Sequence, residues 1–230
     1  MDELHRRLLS IGFDAGQDLG LVLAGGYALA AYELVDRPSK DIDFATSTSL
    51  PLPEVAARLA RAYEDQGFSS QVVEATQRMA RIVVSGEGVH CEVDLLKEAI
   101  GPPSILSFGP VLAFEDAVGL KVRALHDRAA HRDFIDIHAA SSRLSWHELE
   151  VLGARHTAGF SLEELADRLG GVIERDERTF LGYGLSHSDV VEIRHWALSW
   201  ETDIRARLAA GETGPTGPEE TAWDAYLDGR

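Results

Sequence analysis

Apolar positions recur along this chain with two different periods, and the change from one to the other divides it. Residues 1–18 predict an opening helix, and residues 21–24 a short apolar strand running into Gly25 and Gly26. The helix formers over 27–35 predict a second helix, which Pro38 stops. Asp41-Ile42-Asp43-Phe44 alternates polar with apolar, the pattern of a strand with one face in the core. An amphipathic helix follows over 53–66, with Val55, Leu59 and Ala62 on one stripe. Strands are expected at 68–74 and 79–85, then Gly86-Glu87-Gly88 as a hairpin turn into a strand over 89–96. This order predicts an α/β (α+β) fold, a mixed sheet with flanking helices.

Beyond Gly101-Pro102-Pro103 the period becomes helical. A helix is expected over 112–128, with Phe114, Ala117, Val118, Val122 and Leu125 on its buried stripe. Ser145 with Glu148, and Ser161 with Glu164, have the spacing of capping boxes and mark two helix starts, and a longer helix is expected over about 188–209. The predicted organisation is a core over 1–110, a helical C-terminal region over 111–210 and an acidic linker and tail over 211–230, with Trp223 and Tyr226 in the tail.

A chain of 230 residues can bury a sizeable core. Its 22 basic and 38 acidic residues, a formal net charge of −16, argue against a polybasic membrane binder or a general DNA-coating protein. The single cysteine, Cys91, excludes an internal disulfide framework and a cysteine-based zinc site. No apolar run reaches the ~18 residues of a membrane span, and no signal-peptide pattern opens the sequence. We therefore expect a cytoplasmic protein with no membrane contact.

Candidate chemistry begins with Asp41 and Asp43. Side chains two apart on a strand share a face, so these carboxylates stand side by side while Ile42 and Phe44 pack behind them. Their repulsion is relieved if a divalent cation such as Mg²⁺ sits between them. Two ordinary surface acids would give the same pattern. In the strand over 89–96, His90, Glu92 and Asp94 share one parity. If that strand neighbours the first, a third carboxylate joins the pair; Asp94 is preferred, and parity also allows Glu92. A strand ending in Gly25-Gly26 and opening a helix lets backbone N–H groups approach a phosphate closely. Neither the dinucleotide fingerprint nor the P-loop motif is present.

Lys121 falls on the buried stripe of its helix, either snorkelling along the core edge or serving as a cation for nucleotide phosphates. Asp133 and Asp136, three apart on the next helical segment, are candidates to order Lys121 or to assist catalysis. Residues 121–132 hold four basic side chains and one acid, a local basic patch for RNA in an acidic chain. His126-Asp127 alone, without further metal-binding positions around it, does not make a phosphohydrolase site.

Leu23-Ala24-Gly25-Gly26-Tyr27-Ala28-Leu29, Arg37-Pro38-Ser39-Lys40-Asp41-Ile42-Asp43-Phe44, Glu115-Asp116 with Lys121, Ala124, Leu125 and Arg128, and Arg132-Asp133-x-x-Asp136 occur in order over roughly residues 20–140. Together they resemble the AbiEii/AbiGii-type nucleotidyltransferase toxins of the DNA polymerase β-like superfamily. The resemblance implies a polymerase β-like nucleotidyltransferase core followed by a helical region. It also implies Mg²⁺-dependent (or Mn²⁺-dependent) transfer of a nucleotidyl group from an NTP, with tRNA 3′ ends as acceptor in some members and an antitoxin as partner. Carried over by residue, Gly25 and Gly26 would hold phosphates, Asp41 and Asp43 would bind metal and Lys121 would contact nucleotide; we expect Asp94 as the third metal ligand and Ser39 and Lys40 as further nucleotide contacts. Asp133 or Asp136 would complete the last motif. Competing readings are transfer to a small cationic acceptor of the aminoglycoside kind or to a protein, and a silent nucleotide binder.

Overall fold

The computed structural model describes residues 1–37, 39–86 and 88–218. Two compact units are present: Met1–Glu33 with residues 39–114, and Leu34–Arg37 with residues 115–218.

The first unit is built on a seven-stranded mixed sheet. Its strands are β1 (Val22–Leu23), β2 (Asp41–Thr46), β3 (Ser69–Ala75), β4 (Met79–Gly86), β5 (Val89–Lys97), β6 (Ser104–Leu106) and β7 (Gly109–Val111), in the order β3-β4-β5-β2-β1-β7-β6. β2 runs parallel to β5 and β1 parallel to β7, and the other neighbours are antiparallel. Cross-strand register aligns Ile42 with Val93 and Ile82, and Phe44 with Leu95 and Ala80, so one face is a continuous apolar layer in which all six are fully buried. Burying each large side chain of such a layer contributes about 1.5–3 kcal/mol.

Helices α1 (Glu3–Ala15) and α3 (Leu52–Asp65) pack with this layer; Phe13 of α1 meets Phe44 edge to face at 5.5 Å. α3 buries Leu52, Val55, Ala56, Leu59, Ala60 and Tyr63, so its stripe turns toward Tyr63 and leaves Ala62 half-buried, unlike the sequence expectation. α2 (Gly25–Ala31) starts on the glycines themselves and stops earlier than predicted, because the chain turns left-handed at Glu33 (φ 57°). β6 and β7 were not expected: three-residue strands beside Pro102, Pro103 and Pro110 are too short for alternation to show.

The second unit is helical: α4 (Phe114–Asp127), α5 (His131–Ala140), α6 (Trp146–Arg155), α7 (Leu162–Gly170), α8 (Glu177–Leu181) and α9 (His187–Ala209). Ser145, Ser161 and Ser186 cap α6, α7 and α9 by accepting the N–H of Glu148, Glu164 and Asp189. Glu148 and Asp189 return the bond to the cap N–H, whereas Glu164 lies 3.2 Å from Nε2 of His126. α9 packs against α5, α7 and α8, with Trp200 fully buried. Trp200 Nε1 donates to Glu150 at 2.9 Å, and Arg207 pairs with both oxygens of that buried carboxylate. Residues 212–218 form no regular element. Gly214 lies against Leu162 and Gly217 against the Thr157 carbonyl, so this stretch of the expected linker rests on its own unit. Trp223 and Tyr226 lie outside the described residues. Among the described residues, no helix is long and apolar enough to cross a membrane.

Candidate active site

β2 presents Asp41 and Asp43, both half-buried, on the face opposite Ile42 and Phe44. The parallel register with β5 sets Asp41 beside Glu92 and Asp43 beside Asp94. Each of Asp41, Asp43 and Asp94 offers a carboxylate oxygen, and these atoms all lie within 4.8 Å of one another. Parity left Glu92 and Asp94 open, and the register places Asp94 in the cluster. An all-oxygen set of three carboxylates matches the preference of Mg²⁺ or Mn²⁺ and suits softer metals poorly, so these residues fit such a cation.

The glycine pair and the carboxylates are mechanically coupled. Gly25 has φ +59°, and a β-carbon there would fall 1.7 Å from Oδ2 of Asp43. The Ala24 N–H donates to the Asp43 carbonyl at 2.8 Å, tying the end of β1 to β2 at the same point. Only glycine accepts both the left-handed backbone and the close approach of the carboxylate.

Ser39 Oγ donates to Asp41 Oδ1 at 3.2 Å, and Lys40 is exposed. The loop before β2 is also held from the helix side, where the Tyr27 hydroxyl donates to the Ser39 carbonyl at 3.4 Å and lies 2.5 Å from His5 Nδ1. Burial, with Asp2, Cys91 and Asp41 adding to it, pushes the Tyr27 phenol up to about 12, so it stays protonated and able to donate.

The sequence reading did not single out Arg81, on β4. Its Nε and Nη2 donate to the two oxygens of Asp94 at 2.7 Å each, and Nη1 lies 3.1 Å from Glu92. The available signal was parity: a cation alternating with Ala80 and Ile82 must stand on the polar face of the sheet. What parity could not supply was the register aligning Arg81 with Asp94.

Within the second unit, Lys121 Nζ lies 2.8 Å from Asp136 Oδ2, and Arg37 donates to both Asp136 oxygens at 2.8 and 2.7 Å. Asp136 is fully buried. Burial alone would raise its carboxyl, but Lys121 and Arg37 outweigh it and hold the group below the usual carboxylate range. Asp133 does not join this network. It accepts the Ala130 N–H at the start of α5 and the Arg128 guanidinium at 3.0 and 3.1 Å. Much of the basic patch over 121–132 is engaged in the same way: Lys121 by Asp136, Arg128 by Asp133, and Arg123 by the His156 carbonyl at 3.3 Å. His126 stacks on Phe160 and lies 2.9 Å from Asp127.

Among solved structures, JHP933 from Helicobacter pylori aligns with 91% of this chain and 97% of its own, at 18% identity and a TM-score of 0.52. MenT4, a nucleotidyltransferase toxin from Mycobacterium tuberculosis H37Rv, aligns with 87% of this chain and 82% of its own, at 18% identity and a TM-score of 0.56. At this identity the likeness establishes a shared fold. A comparison with curated proteins found no match. The family model described as "Nucleotidyl transferase AbiEii toxin, Type IV TA system" matches residues 7–228. With nearly its whole length matched, the chain belongs to the AbiEii nucleotidyltransferase toxin family of type IV toxin–antitoxin systems.

Proposed function

We propose that this nucleotidyltransferase transfers a nucleotidyl group from an NTP to a tRNA hydroxyl in a metal-dependent reaction that breaks the α–β phosphoanhydride bond and releases pyrophosphate, restrained by a separate antitoxin protein. The observation that carries the reading is the convergence of Asp41, Asp43 and Asp94, whose ligand atoms lie within 4.8 Å of one another. These three residues would hold Mg²⁺ or Mn²⁺, which supplies charge neutralisation for the triphosphate when bound. Asp41 and Asp43 present their oxygens from a strand whose opposite face is locked into the core, so they need little reorganisation. The backbone N–H groups of Gly25 and Gly26, at the turn shaped around Asp43, are the proposed phosphate contacts, with Ser39 and Lys40, just before Asp41, as further nucleotide contacts. Asp94 would orient the attacking acceptor hydroxyl or take up its proton. Lys121 is the proposed phosphate-contacting cation in its own unit, with Asp136 as the partner that orients it.

The tRNA acceptor rests on the family resemblance, and residues 121–132 are its proposed contact. The net charge of −16 and the acid Glu92 beside the cluster favour a second reading, a small cationic acceptor. Purified protein incubated with Mg²⁺, each NTP radiolabelled at the α-phosphate, and either tRNA or an aminoglycoside tests both. Label on tRNA that is lost in Asp43→Asn is the expected result. Label on the small molecule alone would replace the acceptor, and full activity of Asp43→Asn would overturn the mechanism.

A further inference from the structure

The third carboxylate of the cluster lies between two neighbours of opposite charge. β5 is the middle strand, so Asp94 has Asp43 beside it on β2 and Arg81 beside it on β4. From the β4 side the guanidinium takes both Asp94 oxygens at 2.7 Å, while its remaining nitrogen is 3.1 Å from Glu92. Such a two-pronged pair fixes the plane of the carboxylate as well as its position, which a single hydrogen bond or a point charge cannot do. The cluster is complete with this fork closed, since an Asp94 oxygen lies within 4.8 Å of those of Asp41 and Asp43 while Arg81 grips it. Each carboxylate oxygen has two lone-pair sites, so an oxygen that accepts one N–H retains capacity for a second partner.

We propose that Arg81 is a positioning residue for the metal centre: it holds Asp94 from the strand opposite Asp43, and Glu92 anchors Arg81 in turn. The inference rests on the reading of Asp41, Asp43 and Asp94 as metal ligands. In metal sites generally, removing a residue that orients a ligand costs about 10–100-fold in metal affinity. Glu92, which parity left as an alternative ligand, acquires a different part, since it steers the guanidinium and leaves the cation to Asp94. Arg81 also supplies the positive charge that makes three adjacent carboxylates tolerable before any cation arrives.

Mn²⁺ titration of the full-length protein, read by loss of the free-ion paramagnetic resonance signal, tests this without relying on turnover. Asp43→Asn and Asp94→Asn test the underlying reading, and both are expected to abolish or severely weaken binding. Arg81→Gln is expected to weaken Mn²⁺ binding about 10–100-fold, and Glu92→Gln less. Arg81→Lys, which keeps the charge and loses the fork, is expected to remain weak, with circular dichroism and melting temperature close to wild type. In transfer assays the metal concentration for half-maximal rate should rise in Arg81→Lys while kcat at saturating metal is largely kept. Unchanged or tighter Mn²⁺ binding by Arg81→Gln overturns the proposal, as does full rescue by Arg81→Lys, which would reduce Arg81 to a charge. Wild-type binding by Asp43→Asn and Asp94→Asn overturns the metal-centre reading instead, and this inference with it.

Discussion

The carboxylate of Asp43 occupies the space that a β-carbon at Gly25 would need, 1.7 Å from Oδ2. Two motifs separated by fourteen residues in sequence are thus one mechanical unit, with the glycine turn shaped around the second carboxylate.

Gly25→Ala should therefore do more damage than backbone strain alone. A left-handed conformation costs a non-glycine residue about 1–2 kcal/mol, and the added methyl displaces Asp43 as well. Gly20 is the internal control, because its φ of +60° is nearly the same and a β-carbon there meets nothing within 4 Å. Gly20→Ala should lower the melting temperature by a few degrees and leave Mn²⁺ binding and transfer near wild type. Gly25→Ala should lose both, and equal behaviour of the two variants would show that the contact with Asp43 is unimportant.

Asp136 is the anion shared by two cations, Lys121 and Arg37. Asp136→Asn removes the buried carboxylate that both cations share, at an expected cost of about 3–5 kcal/mol in urea melts at pH 7. Asp133→Asn should cost less, because its amide oxygen still accepts the Ala130 N–H and its cation, Arg128, is half exposed to water.

The same carboxylate gives a pH signature. Its folded-state value is held below that of the unfolded chain, so the unfolded state binds more protons across that interval. Its stabilising contribution is complete above the ordinary carboxyl value of about 4 and disappears as pH falls through the depressed one. Stability of the wild type should fall more steeply below about pH 4 than that of Asp136→Asn. Parallel acid limbs in the two proteins would argue against the pairing.

Glu150 is completely buried and accepts from Trp200 and Arg207. Glu150→Ala should destabilise by about 1–3 kcal/mol, since it strands the buried Trp200 N–H, whereas the Arg207 guanidinium keeps Asp203 and Glu212. Tryptophan fluorescence should report a loosened Trp200 before global unfolding, whereas nucleotide binding by the folded fraction should persist.

Cys91 is buried, and burial, reinforced by Asp41, pushes its thiol up to about 12. It should resist iodoacetamide at pH 8 in the native protein and react fully in denaturant, giving a single mass shift because the chain has one cysteine. Rapid native labelling would mean that the β2–β5 region opens readily.

Much of this architecture was readable because alternation and helical period are local properties. Asp41, Ile42, Asp43 and Phe44 take opposite faces of β2 whatever lies beside the strand, and Ser145 and Ser161 cap helices through bonds spanning three residues. The β6–β7 hairpin escaped notice because three residues are too few to express a period, and prolines disguised it. The stripe of α3 was misread at Ala62 because a small residue fits either environment, whereas Tyr63 is drawn inward by the larger area it buries.

The sequence by itself determined that three acids on two strands could share a polar face, and that a glycine turn and a lysine-bearing helix accompany them. Tertiary structure decided which acid stands where. Parallel register set Asp94 beside Asp43, antiparallel register brought Arg81 onto Asp94, and Asp136 took Lys121 and Arg37 while Asp133 turned to its own helix end. Parity is set by the two-residue repeat of a single strand, but register and ion pairing depend on contacts between residues distant in sequence, and no local pattern encodes those.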